Sequence, residues 1–430
     1  MIQRYEIDEI KQIWVDEEKF KAYLAVEVAH LRTLEEDGIV SAGTAERISS
    51  AKINPERISE IERVTNHDVI AFCSSVTEQF SPEEGKFFHF GVTSSDIIDT
   101  SHALLLRKSM DVIEADLRAL KDILWKRAVE TKDLLAMGRS HGISAEAMIF
   151  GQKFLSFAAE TDRAIIDWIQ QRENLTGQLS GAIGNYTVIS PDQESRTLLK
   201  LNLKVEKVSS QVLPRDQYVR IISAGALIGT LLERMALEFR LLQHSDIDEV
   251  REGFSEGQKG SSTMPHKKNP ISSENITGIA RLLRSHLIPM LESCVLWHER
   301  DISHSSVERV VFPDHFGLLA YGLRRMNNVV GNLVIDRKKI ESKVMTNEKV
   351  FSSYVLHQLL LLNEGVRREL TYEIVQKSFF ESTSKEELRM NLKNNLEENE
   401  FKHDVHGWLN IENLRRHYIK QFEVLLKRCE

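Results

Sequence analysis

The chain has 430 residues, of which 42% are hydrophobic and 28% charged, so it is long enough for two or three structural units and too apolar for extended disorder. A formal net charge of -8 excludes a general nucleic-acid binder, yet local Arg, Lys and His can still build a pocket for a small anion. Cys73, Cys294 and Cys429 are too few and too scattered for a disulfide framework or a zinc site, and they fit a reducing compartment.

The segment Met1-Ile-Gln-Arg-Tyr-Glu is too polar for a signal peptide and the longest apolar run is too short for a bilayer, so a cytoplasmic protein without membrane contact is expected. With only 8 prolines and long stretches of Leu, Ala, Glu, Lys and Arg, the fold class is all-α. Three parts are expected: a mixed, loop-rich N-terminal helical part over 1–93, a central long-helix bundle over 94–345, and a smaller helical part over 346–430.

In the central part, Leu106, Met110, Ile113, Leu117, Leu120 and Leu124 recur in steps of four and three and predict one apolar stripe along a helix of many turns. From Ile221 to Leu232 the sequence is apolar on almost every face, which predicts a helix buried all round. Its small residues Ser223, Ala224, Gly225, Ala226 and Gly229 suit close helix approach at the centre of a bundle or of an oligomer.

Gly257, Gly260, Ser261, Ser262 and Pro265 interrupt the helical pattern, which resumes near Ile271, so 257–270 is expected to be an irregular loop. Composition alone allows a solvated connection. It also offers Ser261, Ser262, Thr263, His266, Lys267, Lys268 and Asn269, a dense set of donors with two fixed positive charges that suits a carboxylate.

The segment Gly260-Ser-Ser-Thr-Met-Pro-His-Lys-Lys-Asn-Pro270 resembles the signature Gly-Ser-Ser-x-Met-Pro-x-Lys-x-Asn-Pro of the aspartase and fumarase superfamily, and every fixed position is matched. Further motifs resemble one branch of it, the adenylosuccinate lyases. They are Arg4-Tyr5, Thr65-Asn66-His67-Asp68-Val69, His89-Phe-Gly-Val-Thr-Ser-Ser-Asp96 and Gly138-Arg-Ser-His141-Gly142, then Ser209-Ser-Gln-Val-Leu-Pro-Arg-Asp216 and Trp297-His-Glu-Arg-Asp-Ile-Ser-His-Ser-Ser-Val-Glu-Arg309. Together they span nearly the whole chain. Two departures stand out: Thr263 where the branch usually has Ala, and Ile143 where Gln is common.

The resemblance implies elimination of fumarate from adenylosuccinate, giving AMP, and from the succinylated aminoimidazole carboxamide ribotide. A base removes a proton beside a carboxylate, and an acid protonates the departing nitrogen. Ser261 matches the family's base, with Ser262 the adjacent alternative that the residues alone do not separate. His141 matches the general acid, a role that suits imidazole. Glu274 matches the glutamate that holds this acid charged and oriented; the alternative reading is an exposed carboxylate favoured at a helix start. Lys267 and Asn269 have the chemistry to steady the transient dianion.

His67 and His89 match substrate-side histidines, His67 toward the acid and His89 toward phosphate. Arg4, Arg300 and Arg309 match binding arginines, and Tyr5, Asn66, Asp68, Thr93, Ser94, Gln211 and Ser305 match other binding positions. These residues are expected on long rigid helices. The resemblance further implies a homotetramer whose central helices form a multi-subunit core, with each site shared between subunits. No metal or organic cofactor is implied. The rival expectations are another fumarate-releasing lyase acting on argininosuccinate, aspartate or malate, and a catalytically silent helical oligomer.

Overall fold

The computed structural model describes residues 2–254, 257, 263–264, 266–363, 365–401 and 407–429. The chain is helical with a few short strands, in agreement with the all-α expectation. The elements that carry the argument are α1 (Asp16–Glu36), α2 (Asp68–Thr77), α3 (Ser94–Glu130), the hairpin β1 (Leu135–Ser140) and β2 (Ile143–Ile149), α4 (Gly151–Glu173), α5 (Asp216–Leu242), α6 (Ile271–Ser285), α7 (Ser303–Gly331) and α8 (Ile411–Cys429). Among the described residues no helix is long and apolar enough to cross a membrane.

The chain forms two compact units. The first comprises Met1–Ala119, Thr161–Arg234 and Glu274–Met326; the second comprises Leu120–Glu160, Met235–Ser273 and Asn327–Glu430. The expected stripe on α3 is present: Leu106, Met110, Ile113, Leu117, Leu120 and Leu124 are all fully buried. Each such side chain contributes roughly 1.5–3 kcal/mol relative to exposure.

In the first unit α5 meets α7 closely at Gly225, where an added Cβ would collide with the ring of His315, so no side chain fits there. The expectation that Ile221 to Leu232 is buried all round is met in part within one chain. Ile221, Ile222, Ala226, Ile228, Leu231 and Leu232 are buried, but Leu227 is 64% exposed, because within one chain only part of the helix circumference is covered.

In the second unit β1 and β2 pair antiparallel, Leu135 opposite Ile149 and Ser140 opposite Ile143, with an irregularity between Met137 and Arg139. The two-residue connection His141-Gly142 has φ of 53° and 77°, the double left-handed geometry that joins tight hairpins and that favours Gly at the second position. Below the hairpin Phe150 and Phe154 pack edge to face with centroids 5.7 Å apart, and Phe239 of α5 lies 6.2 Å from Phe154.

Candidate functional site

Asn66 and His67 form a hinge between helices in the first unit. Asn66 ends the helix Pro55–Thr65 in a left-handed conformation, its N–H donating to the Glu62 carbonyl at 2.7 Å. His67 then caps α2: its Nδ1 accepts from the Ile70 N–H at 3.3 Å, while Nε2 faces the Ser94 hydroxyl at 3.4 Å. With Nδ1 occupied as an acceptor, the ring proton sits on Nε2 in the neutral form. The next residue, Asp68, accepts from the Arg309 guanidinium at 2.9 Å, a contact between positions 241 apart in sequence.

Arg300 lies just before α7 and donates to the Gln211 side-chain oxygen at 3.1 Å. Asp301 accepts from the Ser303 N–H at 2.8 Å and so starts α7, which places Ser305 and Arg309 on successive turns. Arg300, Ser305, Arg309 and Asp68 line one cavity of about 270 Å³, with Lys19 and His304 also in its wall. Arg4, Tyr5, His67, His89, Thr93 and Ser94 do not line it. Arg4 is exposed on the short helix Gln3–Tyr5, and the ring of Tyr5 packs 5.0 Å from Tyr321.

Asp99 and Glu308 in the cavity wall belong to a charged group that the sequence reading did not single out. Arg215 grips Asp99 with two hydrogen bonds, at 2.7 and 2.9 Å, and its Nε lies 3.0 Å from Glu308. All three are buried. Burial would raise the Asp99 carboxyl, but the Arg215 charge and hydrogen bonds hold it below the usual range. Burial dominates at Glu308 and, with the nearby Asp99 charge, pushes it up to about 8 despite Arg215. Burial likewise drives His304 down to about 4, so its ring is neutral near pH 7.

His89 sits in a left-handed conformation, φ 61°, held by the fully buried Glu27 of α1. Burial alone would depress this histidine; the hydrogen bond and charge of Glu27 more than offset it and keep it raised. Glu27 was missed in the sequence, although the signal was there: it is a carboxylate on the apolar face between Tyr23 and Leu31. Thr93 and Ser94 begin α3, where Asp96 accepts from the N–H groups of Thr93, Ser180 and Gly181 at 2.8, 3.0 and 3.1 Å. Burial pushes Asp96 up to about 7 against the pull of those three donors.

Glu27, Cys73 and His89, and separately Asp99, His102 and Glu308, bring potential metal-ligand atoms within 4.8 Å of one another. Sequence spacing gave no sign of either group. Glu27 is already engaged by His89 and both Asp99 and Glu308 by Arg215, so internal partners account for these carboxylates.

In the second unit His141 is exposed at the tip of the hairpin, in a turn where a helix was expected. Two residues before the tip, Arg139 donates to Glu249 at 3.1 Å. Lys267 is exposed, with its N–H on the Met264 carbonyl at 3.0 Å, and Asn269 is half-buried. Ser261 and Ser262 lie outside the described residues. Glu274, in the first unit, is exposed in the first turn of α6. Most of the described candidate residues therefore sit in turns and helix starts, with Arg309 one turn further into α7.

The fold is helical, and comparison with known proteins identifies the chain as a lyase. A sequence-family profile described as Lyase matches residues 3–283. The fold is shared with a fumarate lyase from Mesorhizobium sp. BNC1, at TM-score 0.84 and 20% identity over 100% of this chain and 99% of that one. It is shared too with the 3-carboxy-cis,cis-muconate lactonizing enzyme from Pseudomonas putida, at TM-score 0.83 and 22% identity over 99% and 96%. Adenylosuccinate lyase from Thermotoga maritima is 41% identical over 389 residues, 90% of each chain, and that from Helicobacter pylori is 42% identical over 432 residues, 100% of this chain and 96% of that one. The chain belongs to the adenylosuccinate lyase family.

Proposed function

We propose that this protein eliminates fumarate from adenylosuccinate, giving AMP, and from the succinylated aminoimidazole carboxamide ribotide in purine nucleotide synthesis. The observation that carries the reading is identity of 41–42% with adenylosuccinate lyases over nearly their whole length. The cavity chemistry supports it: Arg300, Ser305 and Arg309 suit a phosphate, which guanidinium groups grip with parallel hydrogen bonds.

In this scheme Ser261 takes the proton beside the substrate carboxylate, and the electron pair forms the new carbon-carbon double bond as the carbon-nitrogen bond breaks. Ser262 is the adjacent alternative base. His141 gives its proton to the departing nitrogen, oriented by Glu274 and assisted by His67. Lys267 and Asn269 steady the transient dianion, which fixed donors stabilise more than they do the substrate. His89, Arg4, Tyr5, Asn66, Asp68, Thr93, Ser94 and Gln211 complete substrate binding.

Assembly as a homotetramer with shared sites, in the cytoplasm, belongs to the same proposal. The exposed Leu227 on the otherwise apolar centre of α5 supports it. Purified protein incubated with adenylosuccinate should release AMP and fumarate in equal amounts; absence of both would refute the reading.

A further inference from the structure

The polypeptide enters and leaves the 257–270 loop through a hydrogen-bonded clamp that no motif marks. Glu252, on the entering side, accepts through Oε1 from the N–H and hydroxyl of Ser273, at 2.8 and 2.6 Å, and through Oε2 from the N–H of Ser272 at 3.1 Å. It thereby caps the free amide groups at the start of α6 from across the loop. Gln243, the residue after α5, bonds both sides. Its Oε1 accepts from the Glu252 N–H at 2.9 Å, and its Nε2 donates to the Lys268 carbonyl at 3.1 Å.

The Lys268 carbonyl belongs to the peptide that joins Lys268 to Asn269, so Gln243 fixes the backbone between the two groups assigned to the dianion, Lys267 and Asn269. The side-chain amide supplies both the acceptor and the donor that this arrangement uses. Lys268 is further held with its Nζ 5.3 Å from the Phe254 ring. We infer that Gln243, braced by Glu252, is a positioning residue for the elimination, setting where Lys267 and Asn269 meet the reacting carboxylate. The inference rests on the function proposed above.

The test compares full-length wild type, Gln243→Glu and Gln243→Met. The Glu variant keeps the acceptor for the Glu252 N–H and replaces the donor to Lys268 by a carboxylate oxygen that repels its carbonyl; the Met variant removes both bonds at similar volume. Turnover of adenylosuccinate, inhibition by fumarate and inhibition by AMP are measured for each, with thermal unfolding as the folding control. Both variants should lose on the order of tenfold to a hundredfold in kcat, the penalty of a misplaced reacting group. Fumarate inhibition should weaken by a similar factor, while AMP inhibition stays within about twofold, since the phosphate groups are held elsewhere.

Unchanged kcat and fumarate inhibition in folded Gln243→Glu would overturn the inference. Parallel loss of fumarate and AMP inhibition would overturn it too, since that signals a general structural defect. If Gln243→Met fails to fold, Gln243→Glu alone decides. Wild-type protein without turnover refutes the function itself, whereas active wild type with unaffected variants refutes this inference only.

Discussion

Glu27 receives both the backbone N–H of His89, at 3.1 Å, and its ring Nδ1, at 2.6 Å. One buried carboxylate thus fixes the conformation, tautomer and charge of a candidate phosphate ligand. Because the His89 pKa is raised on folding, the charged pair contributes stability that is fully present below the ordinary histidine value and lost as pH rises through the raised value. Substrate affinity should fall over the same window. Glu27→Gln should move that fall to lower pH, read as the alkaline limb of kcat/KM; an unmoved limb would argue against the pairing.

The Asp99, Arg215 and Glu308 group makes a different demand. Arg215→Ala leaves the buried Asp99 carboxylate without its cation and Glu308 without its partner, and should cost about 3–5 kcal/mol of stability. Denaturant unfolding checks this, and a loss below about 1 kcal/mol would mean that water or another cation takes over.

Within that group Glu308 should set a slope of stability against pH. Its folded pKa is raised to about 8, so the folded state holds a proton that the unfolded chain releases near the ordinary glutamate value. The contribution of Glu308 is therefore greatest at low pH and declines as pH rises toward about 8. Glu308→Gln should remove this decline and unfold at a higher temperature than wild type near pH 8.

The chemistry itself is tested at His141 and Ser261. Loss of a general acid or base costs on the order of 10²–10⁴-fold, so His141→Ala and Ser261→Ala should lose turnover while retaining substrate binding. Near-normal rate in the serine variant would move the base to Ser262. If sites are shared, inactive His141 and Lys267 variants should regain partial activity when their subunits are mixed.

Leu227→Glu is expected to disrupt assembly without unfolding the chain, because this side chain is exposed within one chain and a charge there meets water. Light scattering should show smaller particles with unchanged helical signal. Intact tetramers of the Leu227→Glu variant would place the shared surface elsewhere.

Much of this was legible in the sequence because periodicity reports burial directly. The stripe from Leu106 to Leu124 follows from spacing, and so does the helix that resumes at Ile271. Contacts that close over long separations leave no such trace: Asp68 with Arg309 and Asp99 with Arg215 depend on how helices pack. Leu227 illustrates a further limit. Periodicity shows that a face is apolar, but not whether the same chain or another one covers it. The expectation of a long rigid helix at His141 failed for a local reason, since the left-handed backbone of His141-Gly142 cannot continue a helix.

The hairpin that carries His141 also constrains how this family can vary. Ser140 faces Ile143 across a connection of only two residues, and alternate strand positions point to opposite faces. Replacing Ile143, which is 71% exposed, changes a side chain and leaves the frame intact. Inserting or deleting one residue reverses every side chain beyond that point and turns the imidazole away. Exchange of Ile143 therefore leaves His141 where it is, whereas a change in the number of residues between the strands would re-aim it.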